Sequence, residues 1–221
     1  MENEKEIRKE LTLYGKKLVE KNLVFAGGGN ISTREKNFIY LSPSGLALDE
    51  ISENQWIKVD LTTGNIINSY LKPTCEIEMH LACYRSRQDI QAVIHTHPPY
   101  VIGVTSVDIQ IEPIFPDFVA YLGKKVPLLD YIVPGGEKLA RAVEKLINDY
   151  NVICLKNHGV IAVGLHLKEA FYRTIVIEEA AKILFIGKTL GSPHLFTQRE
   201  IEEIENLPAE TYRQKILKDY K

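Results

Sequence analysis

The sequence predicts a layered α/β domain built on a mostly antiparallel β-sheet. Short apolar runs of strand length alternate with longer amphipathic segments of helix length along the chain. Several neighbouring strands are separated by short turns, which connect antiparallel rather than parallel strands. The 221 residues, of which 45% are hydrophobic, are enough for one substantial core. No shift in composition marks a boundary, so we expect one domain over residues 1–221, with a helical tail from about residue 198.

The N-terminal half is predicted to form two helices and four strands. Ile7, Leu11 and Leu18 recur at helical spacing and predict a helix over residues 4–21. A second helix is predicted over residues 74–87, with Thr74 as its N-cap. Strands are predicted over residues 31–34, 37–41, 56–60 and 66–67, and the last two of these form a hairpin.

The C-terminal half continues the alternation of strands and helices. Residues 92–94 form an apolar run that predicts a buried strand leading into His95, and Pro98 and Pro99 end it. Gly187 is expected to close a long helix over residues 167–186. Further strands are predicted over residues 126–129, 152–155 and 160–163, helices over residues 136–149 and 198–205, and a helix or loop over residues 99–106.

Three histidines lie where predicted strands end. His95 and His97 are two residues apart, so they share one face of their strand. Such a pair alone is more often two polar residues at a strand end than a metal site. His158 follows the strand of residues 152–155 and precedes Gly159, which allows a sharp turn. Three histidines are the ligand count of a catalytic zinc site that keeps one position open.

Three turns rich in glycine or hydroxyl groups, over residues 27–30, 43–45 and 73–75, are candidate anion sites. Their backbone N–H groups are suited to holding a phosphate. Glu76 follows the third turn, where an acid often does no more than complement the helix dipole. Beside an anion turn it is also a candidate metal ligand or general base. His80 lies one helical turn later and is expected to support the site or to pack.

The overall composition argues against several classes of partner. The net charge is -2, from 27 basic and 29 acidic residues, which gives no nucleic-acid footprint. No apolar run reaches the length of a membrane span, so no membrane partner is expected. Three cysteines without C-x-x-C spacing favour a reducing compartment, and a cytoplasmic location is expected.

Five motifs, taken in order, resemble the class II aldolase/adducin-head family over about residues 6 to 191. The motifs are Gly27-Gly28-Gly29-Asn30-Ile31-Ser32, Leu41-Ser42-Pro43-Ser44-Gly45, Lys72-Pro73-Thr74-Cys75-Glu76, Ala92-Val93-Ile94-His95-Thr96-His97 and Lys156-Asn157-His158-Gly159. The resemblance implies a three-layer α/β/α fold and one divalent ion per subunit. That ion is commonly Zn²⁺, with Mn²⁺ or Co²⁺ as alternatives. It further implies a homo-oligomer, commonly a tetramer, with active sites between adjacent subunits.

The resemblance also implies roles for individual residues. His95, His97 and His158 match the metal-binding histidines of the family, and Glu76 matches the carboxylate that ligates the resting metal and acts as acid and base on the substrate. The residues that match the phosphate-binding turns are Gly29, Asn30, Ser44, Gly45, Thr74 and Cys75. The implied activity is a metal-dependent aldol cleavage of a deoxyketose 1-phosphate to dihydroxyacetone phosphate and a short aldehyde. L-Fuculose 1-phosphate or a 5-deoxypentulose 1-phosphate is the implied substrate.

Departures from the family pattern leave alternatives open. Near the position of a tyrosine acid in these aldolases the chain has Asp117 and Tyr121, and the tail offers Tyr212, so the second acid is open among the three. Asp117 would suit a sugar-phosphate 4-epimerase of the family, whereas Glu76 favours the aldolase. A dehydratase is less favoured because the chain lacks a stretch resembling Glu-Met-Ile-Lys-Gly after the metal histidines. A non-catalytic adducin-like module is a minor alternative, since all four candidate ligands are present.

Overall fold

The computed structural model describes residues 2–67 and 69–218, so residues 219–221 of the predicted tail lie outside the described part. The strands are β1 (Asn30–Glu35), β2 (Phe38–Leu41), β3 (Ile57–Asp60), β4 (Ile66–Ile67), β5 (Ala92–Thr96), β6 (Leu128–Leu129), β7 (Val152–Leu155) and β8 (Gly159–Gly164). They form one sheet in the order β4-β3-β2-β1-β5-β8-β7-β6. Among the described strands, β6 and β7 pair in parallel and all other neighbours are antiparallel. The predicted sheet is therefore confirmed.

The helices cover both faces of this sheet. They are α1 (Glu2–Glu20), α2 (Ile77–Ser86), α3 (Pro99–Ser106), α4 (Pro116–Leu122), α5 (Gly136–Ile147), α6 (Leu167–Leu190), α7 (Gln198–Glu205) and α8 (Pro208–Lys218). A single 3₁₀ turn over Glu53–Gln55 precedes β3. Within residues 2–67 and 69–218, no helix has both the length and the apolar character that a membrane span needs.

Successive side chains on the central strands face opposite helical layers. Val93, Ile153 and Ile161 belong to the core cluster that contains the buried residues of α2 and α5. Their sequence neighbours Ile94 and Cys154 face the opposite layer, made by α1, α3, α4 and α6. Both faces of the central strands are therefore buried, which explains why these strands appear in the sequence as continuous apolar runs.

The predicted N-cap of α2 and the predicted end of α6 are wrong. Helix α2 begins at Ile77, so Thr74 is not its N-cap. The hydroxyl of Thr74 instead accepts a hydrogen bond from the Glu76 N–H at 3.3 Å, in the turn that precedes the helix. Helix α6 continues past Gly187 to Leu190. A Cβ at Gly187 would lie 2.9 Å from the Pro193 Cβ, so this glycine permits a close approach of the chain rather than a helix end.

Among the described α-helices before the tail, α4 is the one that the sequence pattern did not predict. It has seven residues, too few for apolar periodicity to be recognised, although Pro116 occupies a first-turn position that suits a helix start. The tail forms α7 and α8. The backbone carbonyl of Leu217 in α8 accepts a hydrogen bond from His166 Nε2 at 2.7 Å, next to the start of α6.

Candidate metal centre

Strand pairing brings the three histidines to one edge of the sheet. Asn30 at the start of β1 lies opposite His95, and Thr96 at the end of β5 lies opposite Val160 in β8. His97 follows the end of β5, and His158 lies in the tight turn between β7 and β8. Antiparallel order therefore places residues that are about 60 positions apart in the sequence side by side.

The four candidate ligands form one compact cluster. One ligand atom from each of Glu76, His95, His97 and His158 lies within 4.8 Å of the other three. The Nε2 atoms of His95 and His97 are 3.0 Å apart. Glu76 Oε2 is 3.1 Å from His95 Nε2, and Glu76 Oε1 is 3.4 Å from His158 Nε2. Three imidazole nitrogens and one carboxylate are a donor set suited to a divalent ion such as zinc.

The hydrogen bond of His95 to the backbone directs its other ring nitrogen, Nε2, at the cluster. His95 Nδ1 lies 2.9 Å from the Val160 carbonyl oxygen, which only accepts, so Nδ1 carries the proton. Nε2 therefore faces the carboxylate of Glu76 and would be the atom that binds a cation. Glu76 Oε1 is buried and, among the described residues, accepts no hydrogen bond, so the cluster fits a metal ion.

Burial and neighbouring charge set the ionisation of these side chains. Burial and, to a smaller extent, the charge of His95 lower the pKa of His158 to about 4. Burial and the charges of His95 and His158 lower the pKa of His97 to about 4. Neutral imidazole is the form that binds metals. Burial raises the pKa of Glu76, but His95, the amide of Asn30 and His158 outweigh it and hold that pKa below its usual range. These shifts favour neutral rings at His97 and His158 beside a carboxylate anion at Glu76.

The three candidate anion turns meet beside Glu76. The Ser44 N–H donates to the Lys72 carbonyl at 2.8 Å, and the Thr74 N–H donates to the Ser42 carbonyl at 3.1 Å, so the second and third turns run antiparallel. A Cβ at Gly27 would lie 3.9 Å from the Gly45 carbonyl carbon, which places the glycine turn beside the second one. The structure thus brings the predicted anion residues together with the metal ligands.

The members of this group differ in exposure and conformation. Ser44, Gly45 and Cys75 are exposed, whereas Asn30 and Thr74 are buried. Gly29 and Gly45 adopt φ values of 72° and 83°, a region that favours glycine. Asn30 Nδ2 donates to Glu76 Oε2 at 2.9 Å. A single side chain therefore lies between the candidate anion site and the candidate metal ligand.

Three residues near the site, Gly28, Ser32 and Tyr84, had no role predicted from the sequence, and a fourth, His80, had no predicted contact partner. Gly28 lies against His97, because a Cβ there would be 2.8 Å from His97 Nδ1. His80, Ser32 and Tyr84 form a buried polar group behind Asn30. The available signal was the spacing of Glu76, His80 and Tyr84, four residues apart on one helical face.

The three candidates for the second acid lie around Arg213. Asp117 and Tyr121 are on α4, and the Arg213 guanidinium of α8 is 2.7 Å from Asp117 Oδ1 and 5.3 Å from the centre of the Tyr121 ring. Burial raises the pKa of Tyr121. Tyr212 precedes Arg213 on α8 and is exposed. This arrangement does not select one acid among the three.

Comparison with known proteins gives the family of the chain. Residues 9–185 match the family described as Class II Aldolase and Adducin N-terminal domain. A 5-deoxy-D-ribulose 1-phosphate aldolase from Bacillus thuringiensis serovar kurstaki is 35% identical over 199 residues, which cover 89% of this chain and 92% of that protein. A 3-oxo-tetronate 4-phosphate decarboxylase from Haemophilus influenzae is 30% identical over 206 residues, 90% of this chain and 96% of that protein. A solved structure of L-fuculose 1-phosphate aldolase matches with a TM-score of 0.86 at 31% identity, covering 94% of this chain and 96% of that one. The chain therefore belongs to the class II aldolase/adducin N-terminal domain family.

Proposed function

We propose that this protein is a metal-dependent aldolase that cleaves a deoxyketose 1-phosphate to dihydroxyacetone phosphate and a short aldehyde. The observation that carries the proposal is the position of Glu76, which contacts the histidine cluster through both oxygens and Asn30 through one of them. A metal site, a carboxylate and an anion site are the parts that an aldol cleavage of a sugar phosphate requires. L-Fuculose 1-phosphate and 5-deoxypentulose 1-phosphates are the proposed substrates, in line with the activities of the relatives.

The metal would be held by His95, His97 and His158, with Glu76 as the fourth ligand in the resting state. When bound, a divalent ion supplies Lewis-acid stabilisation for the negative charge that develops on the substrate oxygens. The Val160 carbonyl fixes the tautomer of His95, and Gly28 allows the ring of His97 to approach the turn closely. Zinc is the proposed native ion, because three imidazoles and a carboxylate suit it.

Glu76 is the proposed acid and base at carbon. In cleavage, the C4 hydroxyl gives its proton to the second acid–base group, which is open among Asp117, Tyr121 and Tyr212, and becomes the aldehyde carbonyl as the C3–C4 bond breaks. The enediolate that remains takes up a proton at C3. In the synthetic direction the same carboxylate removes that proton from dihydroxyacetone phosphate. Glu76 accepts a proton only as a carboxylate, the form in which both of its oxygens face the histidine cluster. Its burial excludes bulk water from the proton transfer.

The phosphate is proposed to bind at the three neighbouring turns. Ser44, Thr74 and Cys75 offer side-chain donors, and Gly29 and Gly45 offer backbone that a ligand can approach closely. Asn30 has two amide hydrogens, one of which is bonded to Glu76, and the second is proposed for the phosphate. Neutral donors then hold the ketose in register with the carboxylate.

An aldol assay tests this proposal directly. The zinc-loaded protein is incubated with dihydroxyacetone phosphate and a panel of short aldehydes, and the configuration of each product is determined. We expect a ketose 1-phosphate product, with no product when dihydroxyacetone replaces its phosphate. Turnover of the unphosphorylated ketone at an equal rate would contradict the anion site. Absence of any aldol product, with release of CO₂ from a 3-oxo acid phosphate, would favour the chemistry of the decarboxylase relative instead.

The quaternary structure and location are also proposals. We propose a homotetramer, as the family resemblance implies. Exposed apolar side chains on α3 (Tyr100), just after it (Val107) and on α6 (Phe185 and Leu190) support self-association. Light scattering of the purified protein tests this. We further propose that the chain is a single cytoplasmic domain with a helical tail, acting on a small phosphorylated sugar without a nucleic-acid or membrane partner.

A further inference from the structure

A chain of hydrogen bonds runs from Glu76 into the interior of the protein. Asn30 Nδ2 is 2.9 Å from Glu76 Oε2, and Asn30 Oδ1 is 2.6 Å from His80 Nε2. On the other side of the ring, His80 Nδ1 is 2.7 Å from Ser32 Oγ, which is 2.8 Å from the Tyr84 hydroxyl. Asn30, Ser32, His80 and Tyr84 are all buried. Because these side chains are buried, each atom in this series of hydrogen bonds must act either as a donor or as an acceptor towards its neighbour.

The direction of every bond follows from the carboxylate. Glu76 only accepts when ionised, so the Asn30 atom that faces it is the NH₂ group and the atom that faces His80 is the oxygen. That oxygen only accepts, so His80 Nε2 carries a hydrogen. If the ring is neutral, Nδ1 accepts from Ser32, whose oxygen accepts in turn from Tyr84. All four bonds then point from Tyr84 towards Glu76 without conflict.

The environment of His80 supports the neutral ring. Its side chain is fully buried, and its two hydrogen-bond partners, Asn30 and Ser32, carry no charge. Burial lowers the pKa of His80 to about 3, with a smaller contribution from His95. A neutral ring with a proton on Nε2 has one donor, and that donor is used on Asn30.

We propose that His80 is a positioning residue that fixes the amide orientation of Asn30. Its Nε2–H holds Asn30 Oδ1 away from the site, so that both amide hydrogens face the site, one on Glu76 and the other available to the substrate phosphate. The oxygen and nitrogen of an amide are nearly equal in size, so packing alone does not distinguish the two orientations. A flipped Asn30 would place its oxygen against the Glu76 carboxylate and against a bound dianion. The part that concerns phosphate rests on the proposed function, whereas the orientation itself does not.

A double-mutant cycle tests whether His80 acts through Asn30. The dissociation constant for dihydroxyacetone phosphate is measured by calorimetry for zinc-loaded wild type, Asn30→Ala, His80→Leu and the double variant. We expect each single change to weaken binding by roughly 10-fold, and the double variant to match Asn30→Ala within about twofold. If the fold-changes of the two single variants instead multiply in the double variant, His80 acts independently of Asn30 and the proposal is wrong.

Two further variants separate orientation from packing. His80→Gln places an amide donor near the position of Nε2, and we expect it to bind within about threefold of wild type. Met79→Leu is a buried, volume-conserving change on the neighbouring residue, expected to leave affinity within about twofold of wild type. If His80→Gln binds as weakly as His80→Leu while Met79→Leu binds normally, the donor role is wrong. Because this comparison does not depend on His80→Leu, it remains decisive if that variant fails to fold.

A spectroscopic measurement tests the orientation without substrate. Long-range ¹⁵N–¹H correlation spectra of wild type at pH 7 should show His80 as the neutral tautomer with its proton on Nε2. A proton on Nδ1, or a doubly protonated ring, would overturn the assignment of bond directions. If wild type shows the expected tautomer but does not bind dihydroxyacetone phosphate, the proposed function fails while the orientation of Asn30 stands.

Discussion

At the scale of single residues, Glu76 carries the chemical proposal and offers the sharpest test of it. Glu76→Gln keeps the shape of the side chain and removes the proton acceptor. We expect kcat to fall roughly 10²–10⁴-fold at saturating zinc, the usual contribution of a positioned general base. Glu78→Gln, a partly exposed position two residues along the chain, is the matched control and should keep normal turnover.

Solvent exchange separates the role of Glu76 as a base from its role as a ligand. Exchange of the C3 proton of dihydroxyacetone phosphate with deuterium reports deprotonation without an aldehyde. We expect this exchange to be lost in Glu76→Gln while the zinc content measured by elemental analysis is retained. Normal exchange in the variant would reject the base assignment and direct attention to Asp117, Tyr121 or Tyr212.

His97 tests the metal assignment at the same scale. Its Nε2 is 3.0 Å from that of His95, and it lies within the four-residue cluster. His97→Ala should lower zinc affinity by more than the roughly 10- to 100-fold that loss of a supporting contact costs. His194→Ala is the control, because His194 is exposed and contacts Glu200. Competition titration with a coloured chelator measures both; equal affinities for the two variants would show that His97 is not a ligand.

Some of the site could be predicted from spacing and some could not. His95, His97 and Glu76 stand in local patterns, at a strand end and a helix start, so their sequence positions already predict candidate roles. Ser32 contacts His80 and Tyr84, which are 48 and 52 residues away in the sequence, so these contacts depend on how β1 is positioned against α2. No local sequence pattern predicts the position of a strand relative to a distant helix, and a serine or tyrosine in a strand or helix does not by itself indicate a site.

At the scale of elements, the glycine turn before β1 shapes the site through its backbone. A Cβ at Gly28 would lie 2.8 Å from His97 Nδ1 and 3.1 Å from the Phe25 carbonyl oxygen, whereas a Cβ at Gly27 would meet its nearest atom at 3.9 Å. We therefore expect Gly28→Ala to displace the His97 ring and to lower zinc affinity by about 10-fold. Gly27→Ala is the adjacent control. Equal zinc affinities in the two variants would show that the turn does not set the position of His97.

The start of α3 depends on a carboxylate from another helix. Glu178 on α6 accepts hydrogen bonds from the backbone N–H groups of Tyr100 at 3.1 Å and Val101 at 3.0 Å. These are among the first N–H groups of α3, which have no partner within their own helix. We expect Glu178→Ala to lower the free energy of unfolding by about 1–3 kcal/mol, measured by urea denaturation. Glu179→Ala, at an exposed neighbouring position, should change it by less than about 0.5 kcal/mol.

At the scale of the whole molecule, the sheet could be predicted but its strand order could not. Short turns predict the β3–β4 hairpin, and apolar runs predict buried strands. The neighbours β1, β5 and β8 are separated by long segments, and their pairing is decided by how two helical layers cover both faces. The metal centre depends on this order, since it lies where the start of β1, the end of β5 and the turn before β8 meet.

The buried His80 should make the stability of the whole fold depend on acid. Its pKa is about 3 in the folded protein, against about 6.5 for an unperturbed histidine. Between these values the unfolded chain binds one more proton at this site than the folded protein does. The free energy of unfolding therefore decreases as the pH falls through this window, by about 1.4 kcal/mol per pH unit from His80.

His80→Gln removes the titrating group and keeps a donor for Asn30. We expect the free energy of unfolding of the variant to fall less steeply than that of wild type between pH 6.5 and pH 4. The difference between the two slopes should approach the value for one bound proton. Urea denaturation at several pH values, with chelator present throughout so that metal release does not contribute, measures both slopes. His97 and His158 titrate in the same window but are common to both proteins, so their contribution cancels in the comparison. Parallel slopes would mean that His80 is protonated in the folded protein, and the hydrogen bonds from Tyr84 to Glu76 could not all point in one direction.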